Sequence, residues 1–275
     1  MRLFGFILIS LFQFAVTATP ASALDPTTTF SILTYNIRIG LGREDPGRNV
    51  FKARHEQHDL RPIIAAIRST RAQIVALQEV LGERQAREIA DALGMQFVYT
   101  RHGPVYGKWW GLAVLSKFPI ENSKSLPIST GRGNTRSDLL VLVRISGQTV
   151  HVINVHTDKD LKDGSPIRRT MANANDIDGP VVVLGDFNAR PNAARLDPVR
   201  ARLRDAVVLA DAMNGSSVLH HSTFQHADTL VRGKRIDYIF IDDRYLKVHR
   251  VGLLGRQHWP ASDHIGVTAT LSLIN

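Results

Sequence analysis

The run Val181-Val182-Val183-Leu184-Gly185-Asp186-Phe187-Asn188 sets four aliphatic residues against a glycine and an acid. Four aliphatics in a row, too few for a helix, describe a strand buried on both faces, as happens where helices cover a sheet. Gly185 lets another backbone approach closely just before the acid. Asp186 and Asn188, two residues apart, face the same way. An aspartate so placed can orient and deprotonate a water, and the asparagine can hold that water or a phosphate. The bland alternative for Asp-Phe-Asn is a turn or a cap.

Outward from this run, other apolar stretches end in the same manner: Leu33-Thr34-Tyr35-Asn36, Ala76-Leu77-Gln78-Glu79, Val155-His156-Thr157-Asp158, Arg235-Ile236-Asp237-Tyr238 and Ser262-Asp263-His264. Strands pointing the same way bring their terminal side chains to one crevice. Glu79, at the mouth of a buried strand, suits magnesium, or manganese in its place, which needs one or two carboxylates with waters and substrate phosphate completing its shell. Taken alone, Glu79 is better read as a salt-bridged surface acid. Asn36 can lend a carbonyl oxygen to that site, or serve a turn. His156 and Asp158 alternate along a strand end and share a face. Asp263 and His264 are adjacent and cannot form a mutual pair in extended chain, so His264 needs another acid. Asp237, an acid costly to embed without a partner, is the candidate. Together these groups suggest metal-assisted attack on a phosphate ester.

Strands are expected at Phe30 to Ile37, Ile74 to Leu77, Gln96 to Thr100, Leu112 to Ser116, Leu139 to Ile145, Thr149 to Thr157, Val181 to Asp186, Arg235 to Ile241, Lys247 to Leu254 and Gly266 to Leu273. Ser146-Gly147-Gln148 reads as a hairpin connection. Helices are expected at Asp59 to Thr70, with Asp59 as cap and Pro62 in the first turn, and at Glu83 to Leu93, stopped by Gly94. Two more are placed at Pro166 to Asp178 and Leu196 to Leu209. Hairpins mixed with helical connections argue for mixed sheets covered by helices.

The chain has 275 residues, 44% of them hydrophobic, which suits one large domain. Arg2, the apolar run Leu3 to Val16 and the ending Ala21-Ser22-Ala23 read as a secretory leader over residues 1–23. The run falls short of the roughly 20 apolar residues of a membrane span. The working domain is then 24–275, secreted or periplasmic in a bacterium. Zero cysteine excludes disulfides and thiolate chemistry. The net charge of +9 suits polyanions such as nucleic acid or an anionic lipid surface, or serves solubility alone. No Walker loop, serine-hydrolase elbow or His-Glu-x-x-His zinc motif occurs.

In the order Thr34-Tyr35-Asn36, Gln78-Glu79, Gly185-Asp186-Phe187-Asn188, Arg235-Ile236-Asp237-Tyr238 and Ser262-Asp263-His264, with Gly111 to Ile120 as a further block, the chain resembles the endonuclease/exonuclease/phosphatase superfamily. That superfamily includes pancreatic-type deoxyribonucleases, apurinic endonucleases, secreted sphingomyelinases and inositol polyphosphate phosphatases. The resemblance implies a four-layer α/β sandwich, two mixed sheets packed face to face with helices outside. It implies Glu79 and Asn36 near the divalent metal, with Asp263 contributing. It also implies that Asp186 and Asn188 position the attacking water, that Asp237 orients His264, and that His264 and His156 stabilise charge on phosphate oxygens. Arg38 stands where apurinic endonucleases often carry an acid, which speaks against that branch.

The expected activity is therefore a secreted magnesium-dependent nuclease or phosphodiesterase. Nucleic acid is favoured over lipid as partner, and the protein is read as a monomer without an obligate protein partner. Arg136, in the loop Thr130 to Arg136 that also carries Arg132, and Lys108 are candidates for holding substrate phosphates, as is Asp158 for contacting substrate. A phospholipid or small-molecule phosphoesterase is the alternative, with Trp109-Trp110 meeting a membrane or head group. A non-catalytic binding protein on the same fold is the third reading.

Overall fold

The computed structural model describes residues 29–43, 58–103, 109–129, 135–161, 163–214, 221–224 and 234–274. Among them, the strands form two mixed sheets of six. The first contains β1 (Thr29–Asn36), β2 (Ile74–Val80), β3 (Gln96–Arg101), β4 (Gly111–Ser116), β11 (Leu246–Leu253) and β12 (Val267–Leu273), in the order β11-β12-β1-β2-β4-β3. The second contains β5 (Ile120–Pro127), β6 (Ser137–Ile145), β7 (Gln148–His156), β8 (Val181–Asp186), β9 (Arg204–Asp205) and β10 (Asp237–Ile241), in the order β5-β6-β7-β8-β10-β9. The helices are α1 (Arg61–Thr70), α2 (Gly82–Leu93), α3 (Ser165–Asn175), α4 (Asp197–Arg200) and α5 (Ala206–Asn214).

Strand alternation sorts the apolar residues into three layers. Val182 and Leu184 meet Ile32, Ile74, Ala76 and Val114 between the sheets. Val181 and Val183 turn the other way, onto Ile167 and Met171 of α3 and Val199 of α4. On the opposite side, Leu33, Tyr35, Val75 and Leu77 pack on Ile63 and Ile67 of α1 and on Ala86 and Ile89 of α2. Each buried aliphatic side chain stabilises by about 1.5–3 kcal/mol. A one-residue slip would exchange the two faces, so the pattern fixes the register. The α/β sandwich expected from the sequence is the architecture found.

Each sheet has one parallel pair at its centre, β1 with β2 and β7 with β8, while its other pairs are antiparallel. Parallel pairing sets Asn36 beside Gln78 and His156 beside Asp186, so both sheets present strand C-termini at one edge. Antiparallel β10 starts there, with Asp237 opposite Asp186. Antiparallel β12 starts there too, so the segment holding Asp263 and His264 reaches the same edge. An amide pair ties the sheets together nearby. Gln78 Nε2 donates to Asn154 Oδ1 at 2.7 Å, and Asn154 Nδ2 donates to the carbonyls of Leu77 and Ala113 at 2.9 Å.

Several elements differ from expectation. The helix expected over Leu196 to Leu209 is interrupted, because Arg204 and Asp205 pair with Ile241 and Phe240, and α5 begins only at Ala206. Strand β5 has no counterpart in the sequence reading, since six of its eight residues are polar or proline along an exposed edge. The hairpin connection is two residues, Ser146 and Gly147, both at positive φ, with Gln148 already paired to Ile145. Asp59 stands one residue outside the cap and still accepts the Arg61 N–H at 3.0 Å. The leader expected over residues 1–23 lies outside the described residues, among which no helix is long and apolar enough to cross a membrane.

Candidate active site

His264 anchors the site. Its Nδ1 lies 2.9 Å and 3.2 Å from the two oxygens of Asp237, and its Nε2 lies 3.8 Å from Asp186 Oδ2. Two hydroxyls place this pair. Ser262 Oγ donates to the Asn36 carbonyl at 2.7 Å and accepts the His264 N–H, clipping the segment to the end of β1. Thr223 Oγ1 accepts the N–H groups of Ile236 and Asp237, and Thr223 O accepts the Ile265 N–H at 2.7 Å. Burial alone would push the imidazole down, but the Asp237 charge and hydrogen bond, with Asp186 and Asp263, outweigh it and raise His264 to about 10. The ring is therefore a held cation at neutral pH.

Asp186 is raised to about 7, first by burial and then by the neighbouring Asp237 charge. Its Oδ1 accepts the Asn188 N–H at 2.8 Å. Asn188, at φ +48, donates Nδ2 to the Thr157 carbonyl at 3.0 Å, which joins the ends of β7 and β8. The left-handed conformation is one that asparagine tolerates well.

Glu79 sits at a bulge between Leu77 and Val80, at φ +54. Bulges next to sites re-aim a side chain. Burial, with Asp263 adding to it, raises the Glu79 carboxyl. Asn36 Nδ2 reaches Glu79 Oε1 at 3.2 Å and Asp186 Oδ2 at 3.3 Å, while Asn36 Oδ1 accepts the Arg38 N–H at 3.0 Å. The Asn36 amide oxygen accepts the Arg38 backbone N–H with one lone pair and keeps a second, while its N–H groups face the carboxylates. Asp263 Oδ2 lies 3.5 Å from Nε of buried Arg38.

This donor set fits a hard divalent cation. Glu79, Asp186 and Asp263 are oxygen donors; burial first, and then neighbouring acids (Asp263 for Glu79, Asp237 and Glu79 for Asp186), raise Glu79 and Asp186, and a bound cation would favour the charged form of both. Among the described residues, Asp186, Asp237 and His264 also bring ligand-type atoms within 4.8 Å of one another. With its imidazole protonated and Nδ1 held by Asp237, His264 has no lone pair for a metal, so Glu79 and its neighbours are the better holders.

His156 Nε2 lies 3.4 Å from Asp186 Oδ2 and 4.0 Å from Glu79 Oε1. Burial, with the charges of Arg136 and His264, lowers it well below the usual imidazole range. Arg136 is buried, donates to the His156 carbonyl at 3.3 Å and lies over the Trp110 ring at 4.7 Å. Burial lowers Arg136, against the opposing pull of Asp158, Glu79 and Asp186. Asp158 is buried and accepts the Asp160 N–H at 3.0 Å.

The structure thus brings Asn36, Glu79, Arg136, His156, Asp158, Asp186, Asn188, Asp237, Asp263 and His264 to one edge of the sandwich. Arg132 and Lys108 lie outside the described residues. Sequence reasoning missed the backing of His156. Trp110 is buried edge-on to it at 5.1 Å, and His102 meets Trp110 edge-on at 5.5 Å. His102 Nε2 lies 3.0 Å from the Ser137 carbonyl, and burial with the Arg136 charge holds His102 down to about 3. A histidine eight residues before a tryptophan gives no such signal. Trp109, by contrast, is 45% exposed beneath the Arg101 guanidinium.

The chain belongs to the endonuclease/exonuclease/phosphatase family, whose model matches residues 33–264. It is 28% identical over 179 residues to the uncharacterized protein YbhP of Escherichia coli (strain K12), covering 58% of this chain and 67% of that one. Its fold is shared by solved structures, among them these two. A functionally unknown conserved protein from Enterococcus faecalis V583 has a TM-score of 0.70 at 20% identity, covering 89% of this chain and all of the other (100%). D. rerio TDP2, complexed with a single-strand DNA product, has a TM-score of 0.66 at 17% identity, covering 89% and 99%.

Proposed function

We propose that the chain is a divalent-metal-dependent phosphoesterase, a nuclease or phosphodiesterase that uses an activated water for in-line attack on phosphorus. The observation that carries this reading is the cationic His264, held by Asp237 and facing Asp186, whose carboxyl at about 7 is matched to proton transfer near neutral pH. Asp186 takes the proton of the attacking water as the new P–O bond forms and the ester P–O bond breaks. Asn188 fixes the Asp186 carboxylate through its backbone N–H. His264, with Arg136 beside His156, stabilises the charge that develops on the phosphoryl oxygens. His156, held neutral, lines the same space. Glu79 with Asp263 would hold magnesium or manganese next to Asn36, and the ion would supply Lewis-acid polarisation of the phosphoryl group.

Nucleic acid is the favoured substrate, on the support of the +9 charge. That D. rerio TDP2 is complexed with a single-strand DNA product is compatible with this choice of substrate at the level of fold. The leader over residues 1–23 supports action outside the cytoplasm, in the periplasm or beyond it, by the mature domain 24–275.

The test is hydrolysis by the mature protein with and without magnesium on plasmid DNA, bis-p-nitrophenyl phosphate and sphingomyelin. Magnesium-stimulated cleavage of DNA is expected. Activity confined to sphingomyelin would move the protein to the lipid reading, in which exposed Trp109 meets the head group. His264→Ala and Asp186→Ala should abolish hydrolysis with the fold intact by circular dichroism, and full activity in either would remove the mechanism.

A further inference from the structure

A cleft of about 780 Å³ opens directly beside the reacting groups, where Asn188 forms part of its wall. Four cations line it, Lys159, Arg190, Arg195 and Lys234, against one acid, Asp160. Lys159 and Arg190 are exposed, and Arg195 and Lys234 are half-buried, so their charged ends border the open space. Arg195 connects the cleft to the site, since its guanidinium donates to the Asn188 carbonyl. The cleft also has an aromatic wall. Phe224 is half-buried, bridges by backbone to both Lys234 and His264, and sets its ring 4.9 Å from the His264 imidazole. Ile236 extends this apolar side.

A single phosphate needs no such feature, because His264 and Arg136 already serve the reacting one. Four positive charges at a distance from it suit further phosphates of the same molecule. A flat ring between them and His264 suits a planar base, whose stacking on an aromatic side chain is favourable whatever its identity. A lipid would want an apolar trough for its chains, and this cleft offers only Phe224 and Ile236.

We propose that this cleft is a flanking subsite for a single-stranded polynucleotide, with Lys159, Arg190, Arg195 and Lys234 holding phosphates next to the scissile one and Phe224 stacking the intervening base. The proposal rests on the phosphodiesterase reading and names its substrate class. It makes the enzyme prefer a chain to an isolated diester, because neighbouring phosphates add binding that a small ester cannot use.

The test measures binding without turnover: fluorescence anisotropy of a labelled single-stranded oligonucleotide of about 12 nucleotides, titrated with the protein in EDTA at several salt concentrations. Each phosphate neutralised on a single strand contributes about 0.7 to the slope of log K against log salt. The Arg190→Gln/Lys234→Gln double variant should therefore flatten the slope by about 1.4. Phe224→Leu, which keeps the bulk and removes the ring, should weaken binding by about 5- to 150-fold with the slope unchanged. A double variant that binds with the parent's affinity and slope overturns the proposal. So does a parent whose Arg190- and Lys234-dependent binding is to phosphatidylserine-containing vesicles and not to the oligonucleotide. Hydrolysis of bis-p-nitrophenyl phosphate, followed in parallel with magnesium, separates the two readings. Oligonucleotide binding of the expected form with no hydrolysis supports the subsite and sinks the phosphodiesterase. Hydrolysis with no such binding sinks the subsite alone.

Discussion

Replacing Gly185 by alanine should damage this protein far more than the same change at Gly82, although both glycines sit at positive φ. At Gly82, φ is +77 and a new Cβ meets nothing within 4 Å, so only the left-handed backbone is penalised, by about 1–2 kcal/mol. At Gly185, φ is +142 and the new Cβ would lie 2.0 Å from the Val155 carbonyl oxygen and 2.9 Å from the Val155 N and C. Val155 and Gly185 are register partners in the parallel β7–β8 ladder, so neither strand can step aside without breaking buried hydrogen bonds. Strain at such a φ costs about 1–3 kcal/mol and overpacking about 1–3 kcal/mol more. A retreat of about 1 Å demanded of close-packed backbone points to the upper part of both ranges, about 4–6 kcal/mol together. For a domain of this size 1 kcal/mol moves Tm by about 2–4 °C. Thermal melts by circular dichroism, in one buffer, should then show Gly82→Ala down by about 2–8 °C and Gly185→Ala down by about 8–24 °C. If the two variants melted at the same temperature, the close-approach argument, and with it the account of how Asp186 is positioned, would be refuted.

Other consequences can be measured separately. Asp237→Asn removes the charge that raises His264, so the His264 ring should titrate well below 10 by NMR and hydrolysis should fall on the order of 10²–10⁴-fold, while an unchanged titration would exclude Asp237 as its partner. His102 is buried neutral at about 3, so an unfolded chain binds a proton that the folded one refuses; stability is lost as pH falls below 6.5, by about 1.4 kcal/mol per pH unit. Urea denaturation at pH 7 and pH 5 should therefore show a smaller acid loss in His102→Gln than in the parent, and equal losses would argue against it. Glu79→Gln should raise the magnesium concentration needed for half-maximal hydrolysis, and a magnesium dependence like the parent's would mean that Glu79 is no ligand.

What the sequence showed, it showed through burial patterns. Val181 to Leu184 announced a strand covered on both sides, and its alternate residues do lie in two different apolar layers. The stripes of α1 and α2 were visible because Ile63, Ile67, Ala86 and Ile89 recur at helical spacing. β5 was hidden because an exposed edge strand needs no apolar alternation. The break before α5 was hidden because the pairing of Arg204 and Asp205 with β10 is set by tertiary contact, not by local preference. The pairing of His264 with Asp237 could be argued from the cost of burying an acid, and the structure has it at 2.9 Å. The Arg38–Asp263 contact could not, since it joins elements far apart in the chain, and the Trp110–His102 backing could not, since a histidine and a tryptophan at that short spacing carry no pattern that says they will pack.

The Gln78–Asn154 amide pair has a consequence for how such a molecule diversifies. The reacting groups are split between two sheets, with Asn36 and Glu79 on one and His156, Asp186 and Asp237 on the other. Two apolar faces alone would let the sheets slide at little cost, whereas directional amide bonds in a dry layer act as a dowel. The chemical centre is thereby decoupled from whatever surrounds it. Loops around the rim can lengthen, change charge or adopt a new ligand without shifting the atoms that act on phosphorus.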